Sequence, residues 1–148
     1  MKGLYLLLPL GILLTACNST SDTQAIEEVP SFIDLSSVEL RSKAGEYWDV
    51  VKRVEPQYPI EAVKKSISGC VELAMLINSQ GKAQGYKVLS SYPEGLFDSN
   101  AAAAVGLWSW EPTVENTSKQ PILTYIRMDF IVSPEPTDAE YLAHCPHG

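Results

Sequence analysis

The chain has 148 residues, 11 of them basic and 18 acidic, for a formal net charge of -7, and it carries three cysteines. Less a leader and a tether, that length holds one domain of about 90 to 100 residues, enough for a single core. The acidic balance excludes a nucleic-acid binder, because phosphate partners require a basic face.

Met1-Lys2 leads into an apolar run over residues 4–14, which ends Leu14-Thr15-Ala16-Cys17. A basic start, a short apolar core and small residues before a cleavage point describe a secretory signal over residues 1–16. A membrane span needs about eighteen or more apolar residues, and Pro9 and Gly11 interrupt this run. Leu-Thr-Ala-Cys resembles the lipobox of bacterial lipoproteins, in which the cysteine is acylated and becomes the new N-terminus. Cys17 is therefore the expected lipid attachment residue, and the mature chain is expected to hang from a membrane outside the cytoplasm. Asn18 follows it, whereas aspartate there marks inner-membrane retention in enterobacterial lipoproteins, so the outer membrane is favoured. Residues 17–45 are polar, serine-rich and acidic without a sustained period, and read as a flexible tether with a span of roughly 30 Å. Within it, Ser31-Phe32-Ile33-Asp34-Leu35 is the one stretch suited to docking.

The folded part is expected over residues 46–133. Residues 47–54, rich in aromatic and β-branched side chains, read as an extended lead-in or short strand. Pro59 suits the first turn of a helix, and Ile60, Val63 and Ile67 at i, i+3 and i+7 predict a short amphipathic helix stopped by Gly69. Residues 70–77 then alternate, with Val71, Leu73, Met75 and Ile77 on one face. After the turn Asn78-Ser79-Gln80-Gly81, residues 82–91 return as the second arm of a hairpin, with a bulge predicted at Gly85. Residues 96–108 carry a helical stripe of Phe97, Ala101, Ala104, Val105 and Trp108, ended by Glu111-Pro112. A long strand follows over residues 122–132, where Ile126, Met128, Phe130 and Val132 alternate with Tyr125, Arg127, Asp129 and Ile131. Residues 134–148 form a proline-containing tail.

Cys70 and Cys145 remain once the lipobox cysteine is set aside. In an oxidising compartment a disulfide is the default, and closing about 75 residues would constrain the unfolded chain by roughly 4 kcal/mol. Free thiols are one alternative. A metal site with His144 and His147 is another, although no second spaced Cys/His pair exists to complete a structural zinc site. If Cys70 and Cys145 pair, the tail is expected to fold over the open sheet face or edge and to occupy part of that edge. Those two histidines are the only ones in the chain, so no base stands ready for a serine or cysteine nucleophile. With no phosphate loop or hydride-cofactor signature either, the sequence implies neither an enzyme nor a cofactor.

Glu55-Pro56-Gln57-Tyr58-Pro59, Gly69-Cys70-Val71 and Gly81 resemble the opening of the TonB C-terminal domain. Leu96-Phe97-Asp98, Trp108-Ser109-Trp110-Glu111-Pro112 and Arg127-Met128-Asp129-Phe130 match the rest of that pattern in order. The resemblance covers residues 50–132. It implies an α+β fold: a three-stranded antiparallel sheet with the last strand at an edge and two helices packed on one face. It also implies that the last strand accepts an extended segment of an outer-membrane transporter by β-augmentation. Leu123, Tyr125, Arg127 and Asp129 are then the expected peptide-binding edge, with Glu55, Pro56, Gln57 and Tyr58 as flanking contacts. An energy-transducing TonB instead has an uncleaved membrane helix and a long proline-rich spacer, so the lipobox and short tether point to docking rather than force coupling. An energy-transducer role, a purely structural envelope role and pairing with a second copy through the same edge are the competing uses of such a domain.

Overall fold

The computed structural model describes residues 31–132 and 139–146. The signal, Cys17, most of the tether and His147 lie outside the described residues. The architecture is α+β, with a four-stranded sheet and a separate two-stranded one.

The centre is the hairpin read from alternation. Strand β3 (Gly69–Ile77) pairs antiparallel with β4 (Ala83–Tyr92) and, on its other side, with β6 (Ile122–Phe130). Val71, Leu73, Met75 and Ile77 are all buried, as the period of two requires. The register of β4 skips at Gly85, the expected bulge, and a second time at Leu89. Gly81 closes the hairpin turn at φ +67°, and a Cβ there would run into the Trp110 carbonyl, so only glycine fits.

Helix α1 (Ile60–Lys64) and helix α2 (Asp98–Val105) pack on the face of Val71 and Leu73. The α2 stripe lies where expected: Phe97, Ala101, Ala104, Val105 and Trp108 are buried. The helix is shorter than its stripe, because Trp110 belongs to strand β5 (Ser109–Pro112), which pairs antiparallel with β2 (Trp48–Lys52). In α1 the expected apolar face is wrong. Ile60 and Val63 are 72% and 51% exposed, and Ala62 is the buried residue. The helix ends at Lys64, well before Gly69. The Tyr58 ring packs beside the helix start, edge-on to Phe97 and Phe130.

Two further findings concern the ends of the domain. Order begins well before residue 46: β1 (Ile33–Asp34) pairs in parallel with β6, and a 3-10 helix follows at Arg41–Glu46. The sheet therefore has four strands in the order β1-β6-β3-β4 instead of three. The tail forms α3 (Ala139–His144), bridged by Cys145 to Cys70 with 5.8 Å between Cα atoms. That bridge replaces the alternatives of free thiols or metal ligation by these cysteines. Helix α3 lies against β4 on the sheet face opposite α1 and α2, with Tyr141 buried beside Cys70 and His144 stacked on Tyr92 at 4.7 Å. Among the described residues, the chain beside the outer edge of β6 is β1, with the 3-10 helix next to it and Arg41 over the Tyr125 ring.

Candidate functional site: the outer edge of the last strand

Alternation fixes which backbone groups of β6 face outward. Ile33 N–H donates to the Pro121 carbonyl at 3.0 Å and Leu35 N–H to the Leu123 carbonyl at 2.8 Å, so odd-numbered residues point away from β3. On the other side, Val132 N–H donates to Ser68 Oγ at 3.0 Å, which puts even-numbered residues inward. The N–H and C=O groups of Tyr125, Arg127 and Asp129 therefore share the outer edge with Leu123. Among the described residues no strand pairs with that edge beyond Leu123.

The side chains of the same residues lie on the sheet face opposite the helices and form a polar strip around Glu72. The Tyr125 hydroxyl donates to Glu72 Oε1 at 2.7 Å, and Ser90 Oγ donates to Oε2 at 2.8 Å. Arg127 donates through Nε and Nη2 to Asp129 Oδ1, each at 3.0 Å, and stands 3.6 Å from Glu72. Burial and the bond to the Glu72 carboxylate push the Tyr125 phenol up to about 12. For Glu72 burial alone would raise the pKa, but the bonds from Tyr125 and Ser90 and the Arg127 charge outweigh it and leave it lowered. The Arg41 guanidinium sits 4.5 Å from the centre of the Tyr125 ring.

The segment at residues 53–56 walls the far end of this edge. Arg53, Glu55, Pro56 and Trp108 line a cleft of about 150 Å³ together with Arg127, Met128 and Asp129. Trp108 positions the wall, donating its indole N–H to the Val54 carbonyl at 2.8 Å while Arg53 stacks on its ring. The structure thus brings Glu55 and Pro56 to Arg127 and Asp129. Gln57 lies on the other side of the segment, its carbonyl held by Asn100 Nδ2 at 2.7 Å, in a groove of about 360 Å³ against α2. Tyr58 donates to the Ile67 carbonyl at 2.6 Å and packs half-buried against the core. Leu123 lies at the other end of the edge, opposite Asp34. Sequence reasoning missed Arg53 and Arg41. The i+5 spacing from Trp48 to Arg53 gave no signal, because Arg53 is placed by a stack on a residue 55 positions away.

No three His, Cys, Asp or Glu side chains are grouped to hold a metal among the described residues. A sheet edge flanked by a fixed wall defines a protein-interaction domain. Residues 54–132 match the family described as Gram-negative bacterial TonB protein C-terminal, and the chain belongs to that family. The chain is 36% identical over 59 residues to protein TonB of Pseudomonas aeruginosa; the match covers 40% of this chain and 17% of that protein, so the chain spans only a small part of its curated relative. The solution NMR structure of the P. aeruginosa TonB C-terminal domain shares the fold, with a TM-score of 0.52 at 23% identity over 70% of this chain and 96% of that one. The TonB2 protein of Vibrio anguillarum is 28% identical, with a TM-score of 0.45 over 56% and 79% of the two chains.

Proposed function

We propose that the protein is a docking module that hangs from the outer membrane by a lipid on Cys17 and binds extended segments of outer-membrane transport proteins in the periplasm. The segment adds a strand to the outer edge of β6, its backbone bonded to Tyr125, Arg127 and Asp129 and its side chains bounded by Arg53, Glu55 and Pro56. The observation that carries this reading is the run of outward backbone groups on β6 that no described strand satisfies, beside a wall held by Trp108. Unpaired edge groups favour strand addition, which supplies affinity through the main chain and selectivity through side-chain pockets.

The test is a photo-crosslinking amino acid at Asp129 in the full lipoprotein, in cells. Asp129 is exposed, whereas Tyr125 is partly covered by Arg41. Capture of an N-terminal segment of an outer-membrane transporter supports docking. Capture of a second copy alone refutes it in favour of self-assembly.

A further inference from the structure

The edge assigned to a partner is already partly filled by the chain itself. Strand β1 pairs in parallel, Ile33 opposite Ile122 and Asp34 opposite Leu123. Ile33 and Leu35, two residues apart, turn to the same side. Leu35 is 4% exposed within the main core, and Ile33 packs against that core. Asp34 points the other way and its carboxylate accepts from the Ser36 N–H at 2.9 Å and the Ser36 hydroxyl at 2.7 Å. This local turn leads the chain off the edge, so pairing stops at Leu123. The segment is pinned at its start by Gln120 Nε2 donating to the Ser31 carbonyl at 2.9 Å, and beyond its end by Arg41 on Tyr125.

We propose that residues 31–36 are an internal pseudo-ligand, and that the partner is an extended segment running parallel to β6 with apolar residues two apart around a polar or acidic one. This rests on the docking reading above. A strand that pairs along the whole outer edge, from Ile122 to Asp129, also takes the positions opposite Ile122 and Leu123, which β1 holds. A strand of two residues makes only two backbone bonds from its own amides, at Ile33 and Leu35, so a longer strand with the same apolar residues can displace it. A partner that fills the same two apolar sockets and adds the pairings at Tyr125, Arg127 and Asp129 outcompetes it. Apparent affinity is then the intrinsic affinity scaled by the fraction of molecules with the edge free.

The experiment uses a fluorescent peptide of residues 30–37, Pro-Ser-Phe-Ile-Asp-Leu-Ser-Ser, titrated into the full chain and into its Ile33→Ser/Leu35→Ser variant. The variant is expected to bind about tenfold or more tightly than the wild type, and a peptide with both apolar residues changed to serine is expected to bind neither. Equal binding by variant and wild type, or no binding by a variant with wild-type circular dichroism, overturns the proposal. Hydrogen exchange on the wild-type chain gives a check that needs no variant. Saturating peptide is expected to release the Leu35 amide and to protect that of Tyr125, and unchanged protection of Leu35 with peptide bound overturns the proposal. The probe is the chain's own sequence, so failure to capture a transporter at Asp129 leaves this result standing. Capture of a transporter segment equally by wild type and variant overturns the pseudo-ligand while leaving docking intact.

Discussion

Removing the bridge between Cys70 and Cys145 is expected to release the tail and to weaken the domain together. The bridge spans 75 residues, a loop whose closure constrains the unfolded chain by about 4 kcal/mol. The non-covalent hold on α3 is modest and is set against the cost of ordering it. Burying Tyr141 contributes about 2–3 kcal/mol, and the stack of His144 on Tyr92 adds about 1 kcal/mol. Fixing the backbone of the six residues Ala139–His144 costs roughly 6–12 kcal/mol at about 1–2 per residue. In Cys70→Ala/Cys145→Ala the helix is expected to leave the sheet, and the folded state then recovers part of the lost constraint as tail entropy. The expected net loss is about 2–4 kcal/mol, a large share of the stability of a small domain. Urea unfolding of the oxidised chain and the variant reads the loss, and hydrogen exchange at the Cys145 amide, which bonds the Tyr141 carbonyl at 2.7 Å, reads the release. A change below about 1 kcal/mol, or unchanged protection of the position-145 amide, would refute the reasoning.

Gly69→Ala places a methyl group against the Tyr92 carbonyl and 2.6 Å from the Phe97 ring, and is expected to lower stability by about 3 kcal/mol or more in thermal unfolding. Tyr125→Phe removes the bond to Glu72 and is expected to cost about 1 kcal/mol at neutral pH. The Tyr125 phenol is raised to about 12 from a usual value near 10, so its contribution is whole below about pH 10 and lost as pH rises towards 12. Urea unfolding across that range should therefore show the wild type and Tyr125→Phe converging, and a constant gap between them would contradict the assignment. Asp129→Pro deletes an outward N–H while leaving the inward ladder to β3 intact, a substitution that edge strands tolerate. It is expected to weaken capture of partner segments about tenfold with little change in melting temperature, and undiminished binding would place the docking surface elsewhere.

Much of this molecule is legible in local pattern. The first arm of the hairpin, the α2 stripe and the last strand follow from periods of 2 and 3.6, because each buries a row of apolar side chains in one core. The two faces of the last strand were legible to the same extent, since alternation along residues 122–132 separates Met128 and Phe130 from Arg127 and Asp129. Its place at an edge came only from the resemblance to the TonB C-terminal domain. The packing of the Tyr58 ring was not legible, since a motif position says nothing of which way a ring turns, and the ring lies edge-on to Phe97 and Phe130.

The sequence by itself determined the elements whose side chains carry a period, together with the two cysteines free to pair. Only the tertiary structure decided what sits beside what. The pairing of β2 with β5, the parallel docking of β1 on β6, the exposure of Ile60 and Val63 in favour of Ala62, and the placement of α3 on the opposite sheet face all depend on distant partners. Two-residue and four-residue strands are too short to show a period, and their pairing is made by backbone groups that every residue carries alike. Which edge they satisfy is therefore settled by the space and the unpaired groups left once the hairpin, the last strand and the helices have packed.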